Sequence, residues 1–142
     1  MPDADDPYDL RRFVEAQDRL YGDVTAELRS GRKRTHWMWF IFPQIAGLGH
    51  SAMARRYAIS SLPEAVAYLK HGILGPRLRE CTRLVTLVEG RSAHDILGSP
   101  DDMKFHSCLT LFSNAAPEDQ VFRHALEKYF AGEEDPATLA RL

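Results

Sequence analysis

His36-Trp37-Met38-Trp39-Phe40-Ile41-Phe42-Pro43-Gln44, closed by Gly47-Leu48-Gly49, decides how this chain is read. The run holds both tryptophans and two of the seven phenylalanines. Taken alone it has the composition of a strand. A strand needs a partner for its backbone N–H and C=O groups, and no other segment supplies one. No stretch sustains period-two alternation, and no Asn-Gly or Asp-Gly hairpin turn occurs. The run is therefore predicted to be a buried helical turn with an extended exit at Pro43. The fold class follows: all-α, one compact domain over residues 1–142, a bundle of six or seven helices, with residues 1–8 as a flexible tail. The run is also too short to span a bilayer, which takes about 20 apolar residues.

Helical signals extend to both sides of the run. Upstream, Leu10, Phe13, Val14, Gln17, Leu20, Tyr21, Val24 and Leu28 fall at three- and four-residue steps, which predicts one long helix capped by Asp6 or Asp9 and stopped at Gly31. Downstream, Ser51 caps a short helix through Ile59. Ser61-Leu62-Pro63-Glu64 has capping-box spacing and opens a helix to Lys70-His71-Gly72. Gly75-Pro76 restarts the chain, and Leu78 to Val88 keep helical spacing up to Gly90. A short turn follows Ser92. Ser99-Pro100-Asp101-Asp102 reads as cap, first-turn proline and two acids at a helix start, with Phe105, Cys108, Leu109 and Phe112 as its buried stripe. Pro117-Glu118-Asp119 opens another helix that ends at Gly132, and Asp135-Pro136 begins a last one through Leu142.

Composition is that of an ordinary globular chain of 142 residues, 44% hydrophobic and 27% charged. The start, Met1-Pro2-Asp3-Ala4-Asp5-Asp6, is acidic and lacks the apolar stretch of a signal peptide. Cys81 and Cys108 show no metal spacing and no disulfide framework, so a reducing, cytoplasmic setting is expected. A formal net charge of −2 argues against a general nucleic-acid binder. The charge is uneven: residues 29–91 carry eleven Lys/Arg against three Asp/Glu, the rest seven against seventeen. Such a region can attract an anionic ligand, or it can be a solvated surface whose charges pair across helices. No basic amphipathic helix with a strong apolar face suggests a membrane.

The candidate site gathers around the aromatic run. Its catalytic candidates are His36 as a general base and Asp101 and Asp102 as carboxylates that activate water or stabilise positive charge. Its binding candidates are Trp37 and Trp39 for stacking, although residues two apart point in different directions and at most one lines a given wall. Gln44 can read a ligand's donor–acceptor pattern, and Gly47 and Gly49 permit close backbone approach. Lys104, Ser107 and Thr110 form a polar ridge on the helix after Ser99. Each has a plain structural alternative: core packing for the tryptophans, a tight turn for the glycines, a solvated face for the ridge. The six histidines show no zinc spacing, and no cofactor fingerprint is present.

Arg12-Phe13-Val14-Glu15-Ala16-Gln17, the run from His36 to Gly49, Tyr57-Ala58-Ile59, Leu74-Gly75-Pro76-Arg77-Leu78, Asp101-Asp102-Met103-Lys104 and Thr110-Leu111-Phe112 together resemble the domain of unknown function 1810 family. These are uncharacterised bacterial proteins sometimes labelled calpastatin, a label that suits long disordered inhibitors and not a short globular chain. The resemblance covers nearly the whole chain and implies a compact, mainly helical domain without an established activity. A weaker likeness is to the NADAR superfamily, whose members act on N-glycosidic bonds involving ADP-ribose. The two resulting expectations are a pocket for an anionic small molecule, acting as an N-glycoside-type hydrolase on a nucleotide or ADP-ribose derivative, and a non-catalytic module that binds a metabolite or a protein.

Overall fold

The structure, a computed structural model, describes residues 5–142. Its helices are α1 (Arg11–Asp18), α2 (Tyr21–Arg29), α3 (Met38–Ile41), α4 (Ala52–Arg56), α5 (Leu62–Lys70), α6 (Leu74–Leu87), α7 (Ala93–Leu97), α8 (Asp101–Ala115), α9 (Gln120–Phe130) and α10 (Pro136–Leu139). The fold is all-α, as the spacing predicts, and among the described residues no helix is long and apolar enough to cross a membrane. Of the ten helices among the described residues, six run to eight residues or more and four are single turns.

The centre of the bundle is α8. Its residues from Ser107 to Ser113 are buried without a break, so the helix is covered on every side. It packs on α5, α7, α9 and α10, while α6 lies between α5 and α9 and receives α2. The aromatic run packs against the first helix and α8: α1 contacts α3, and the Phe42 and Phe105 rings meet edge-on at 4.9 Å. Phe13, Trp37, Phe42, Tyr68, Phe105, Phe112 and Phe122 are fully buried and form the aromatic heart of one core.

Three local expectations are corrected. The long first helix is two. At the break the chain tightens to an i→i+3 bond, Leu20 N–H to the Gln17 carbonyl at 3.0 Å, and each half then serves a different partner, α1 on α3 and α2 on α6. No proline marks that break, and Gly22 falls just after it, in the first turn of α2. Ser99 does not cap α8: the first N–H groups go to the Gly98 and Pro100 carbonyls and to the Asp102 carboxylate. The Ser61 capping box is half formed. Ser61 accepts from Glu64 N–H at 3.3 Å, but the Glu64 carboxylate turns to Ser60 and to Arg12 instead. The full box belongs to Ser92 and Asp95 at α7.

Other start signals act as read. Asp6 accepts from Leu10 N–H and Arg11 N–H, and Ser51 accepts from Ala54 N–H. Of the residues assigned to a flexible tail, 1–4 lie outside the described residues.

One feature of the backbone builds the site. Ile45 and Ile59 form an isolated parallel bridge, with Ala46 N–H to the Ile59 carbonyl and Ile59 N–H to the Gln44 carbonyl, both 2.8 Å. These two bonds pinch off the segment from Gly47 to Ala58 as a closed loop that carries α4 and stands beside α3.

Candidate functional site

A single carboxylate sets the aromatic run. Glu27, on α2, accepts hydrogen bonds from Arg34 N–H (2.6 Å), Thr35 N–H (2.9 Å), the Thr35 hydroxyl (2.7 Å) and the Trp37 indole N–H (3.1 Å). Partial burial pushes its carboxyl up. The bonds from Thr35, Arg34 and Trp37 together outweigh that and hold it at about 2. The indole of Trp37 is thereby drawn into the core, where it is fully buried, with the Lys33 ammonium 5.1 Å from its ring. Two residues on, Trp39 is rotated to another side of the turn and lies half-buried at the surface. The Lys104 ammonium of α8 sits 5.2 Å from its ring centre.

Trp39 walls a cleft of about 260 Å³. Met38, Phe42 and Gln44 continue its wall, Gly47 and Gly49 form its rim, and Ala54, Arg55 and Tyr57 come from the pinched loop, with Lys104 reaching in from α8. A second groove of about 280 Å³ shares Met38, Trp39 and Lys104 with the cleft and adds Lys33, His36, Ser99, Pro100 and Asp101. Together they reach the size of small-molecule sites, roughly 300–1,000 Å³. The charges are one-sided. Lys104 and Arg55 line the cleft and no carboxylate does. Asp101, in the groove, is held by Lys33 at 2.9 Å and faces Lys104 at 3.9 Å. The exposed Arg55 guanidinium has no partner among the described residues, and neither does the Gln44 amide.

The glycines of the rim are required by contacts. Gly47 has φ +98°, and a Cβ there would overlap the guanidinium of Arg141, which lies directly on it. A Cβ on Gly49 would sit 2.6 Å from the Ala54 side chain. The backbone N–H groups of Gly47, Gly49, His50 and Ser51 donate to no acceptor among the described residues.

The structure thus brings together Trp39, Gln44, Gly47, Gly49 and Lys104 in the cleft, with His36 and Asp101 in the adjoining groove. It places four other candidates elsewhere. Trp37 is core. Asp102 turns to His94 at 3.5 Å and to Met103 N–H at 2.9 Å. Ser107 and Thr110 are buried and hold the last helix: the Ser107 hydroxyl donates to the Asp135 carboxylate at 2.9 Å, and the Thr110 hydroxyl accepts from Asp135 N–H at 2.8 Å. Arg55, Tyr57 and Arg141 were not among the sequence candidates. Arg55 falls in the basic region and follows the Ser51 cap, a signal that could have found it. Nothing local to Arg141 or Glu27 announces where their side chains go. Among the described residues no group of three or more His, Cys, Asp or Glu could hold a metal.

Comparison with known proteins gives the chain a family and no activity. The model of a family described as "Protein of unknown function (DUF1810)" matches residues 7–142. A crystal structure of the conserved hypothetical protein Rv1873 from Mycobacterium tuberculosis is similar at 58% identity over 96% of this chain and 98% of that one, with a TM-score of 0.95. No curated protein matches the chain.

Proposed function

The chain belongs to the DUF1810 family of proteins of unknown function, and we propose that it binds a small anionic molecule carrying a planar ring in the Trp39 cleft. The observation that carries this reading is the make-up of the cleft wall, an indole and two cations with no carboxylate in the wall itself. A planar ring packs on the indole. Lys104, already 5.2 Å from the indole centre, and the unpaired Arg55 meet the negative charge. Gln44, its amide uncommitted, reads the ring's edge. Cys81 and Cys108 are free and buried, which supports the cytoplasmic setting assumed for such a ligand.

Hydrolysis of an N-glycosidic bond requires a carboxylate able to stabilise a developing cation or to activate water. Asp101 is the carboxylate beside the cleft, and both its oxygens face lysines, Lys33 and Lys104. This arrangement favours binding over turnover.

Calorimetric titration with adenosine monophosphate, ADP-ribose and adenosine, at low and high salt, tests the proposal. The two phosphates are expected to bind more tightly than adenosine. Their affinity should fall with added salt, because exposed charges are screened beyond about 8 Å at physiological ionic strength. Adenosine binding as tightly as its phosphates, or no binding by any of the three, overturns the reading. Free adenine in the adenosine monophosphate sample would replace it with the hydrolase.

A further inference from the structure

The rim of the cleft is touched by a residue from the far end of the chain. Arg141 follows α10, and its guanidinium lies against Gly47, the rim residue whose missing Cβ makes room for it. What brings it there is a fixed joint. The Asp135 carboxylate accepts from Ser107 of α8 (2.9 Å) and from Thr138 of α10 (2.7 Å), while Asp135 N–H donates to Thr110 of α8 (2.8 Å). The Thr138 side chain is wholly buried, and Arg141 N–H closes a turn on the Thr138 carbonyl at 2.9 Å. The segment from Asp135 onward is thus bolted to the same helix that supplies Lys104.

Arg141 is exposed, and its guanidinium has no acidic partner among the described residues. Three acids precede it closely in sequence: Glu133, Glu134 and Asp135. Asp135 is committed to α8, and Glu134 accepts from Asn114 at 2.8 Å. The cation is left against Gly47, which lines the cleft as Arg55 does, and the Gly47 and Gly49 N–H groups are unspent.

We propose that Arg141 is a ligand-contacting residue of the cleft and that the anion seated at the Gly47–Gly49 rim is a phosphate. This rests on the reading of the cleft as an anion site. A guanidinium fork matches two phosphate oxygens at once, which a lysine cannot do. A phosphate monoester carries close to two negative charges at neutral pH and so answers the pair Arg55 and Arg141, whereas a carboxylate carries one.

The test is the affinity of wild type, Arg141→Ala, Arg141→Lys and Asp135→Ala for adenosine monophosphate, adenosine and adenosine-5′-carboxylate, with thermal melts on each protein. Arg141→Ala is expected to weaken adenosine monophosphate about tenfold or more, the order expected of a lost charge-assisted bond, and to leave adenosine unchanged. Arg141→Lys recovers part of the loss. Asp135→Ala, which keeps the cation but frees its segment, reproduces the phosphate-specific loss. Undiminished phosphate binding in Arg141→Ala, or an equal loss for all three ligands, overturns the assignment while leaving the cleft reading in place. Wild type that prefers the carboxylate to the phosphate overturns the choice of anion. Wild type that binds none of the three overturns the cleft reading and this assignment together.

Discussion

The two tryptophans show how residues two apart on one turn part between the core and the surface. Trp37 is fully buried with its indole N–H on Glu27, while Trp39 faces the cleft. Trp37→Ala should therefore cost about 3–5 kcal/mol in urea unfolding, the usual price of deleting a large buried aromatic. Trp39→Ala should cost distinctly less and should remove ligand binding.

Glu27 gives a second residue-scale prediction. Its carboxyl is held at about 2, below the usual carboxylate range. A depressed pKa contributes stability that is present above the unfolded-state value, roughly 4.3, and is lost as pH falls through the folded-state value. Glu27→Gln should destabilise by about 1–3 kcal/mol at pH 6, from weakened bonds to two backbone N–H groups and the indole. The gap between variant and wild type should narrow when the same urea melts are run near pH 3. A gap that stays constant would contradict the role given to this carboxylate. That two residues on one turn face apart was legible in the sequence; which of them faces in was not, because Glu27 lies ten residues upstream and carries no motif.

At the scale of elements, start signals were readable where a short polar side chain meets the N–H three residues on, as at Ser51 and Ser92. They misled where the carboxylate had a better use, as with Glu64, which Arg12 claims from α1. The break between α1 and α2 was invisible because tertiary partners impose it and composition does not. The polar ridge of α8 was seen as a ridge, but its destination was not: Lys104 reaches the cleft, while Ser107 and Thr110, one and two turns on, meet Asp135.

Asp135 carries the element-scale prediction. Burial raises its carboxyl, but the bonds from Thr138 and Ser107 prevail and the net shift is downward. The stabilisation that the ionised carboxylate gives the docking of α10 is then present at neutral pH and is lost as pH falls through the lowered value. In hydrogen exchange, Asp135→Ala should speed the amides of Leu139 to Leu142 and leave α8 protected. Protection unchanged across α10 would show that the joint is redundant.

Over the whole molecule, the contrast between a basic middle and acidic flanks is partly resolved by folding. Lys33, Arg77 and Arg79 from the basic region pair with Asp101, Asp18 and Asp119 from outside it. The alternative of charges pairing across helices accounts for these three, and of the cations from the basic region that line the cleft, Arg55 has no partner among the described residues. One contiguous core joins all the long helices, so unfolding should be a single cooperative event. Far-UV circular dichroism and tryptophan fluorescence should give the same midpoint, and separate midpoints would indicate that the pinched loop or α10 melts as its own unit.

The proposed binding mode puts a ligand against Trp39 and not against Trp37. The chain has two tryptophans, so an ¹⁵N-labelled sample gives two indole N–H signals, assignable with Trp39→Phe. Titration with adenosine monophosphate is the most direct measurement. The Trp39 signal should move to saturation while the Trp37 signal, fixed on Glu27 inside the core, stays in place. If neither signal moves, or if Trp37 moves and Trp39 does not, the cleft is not the binding site.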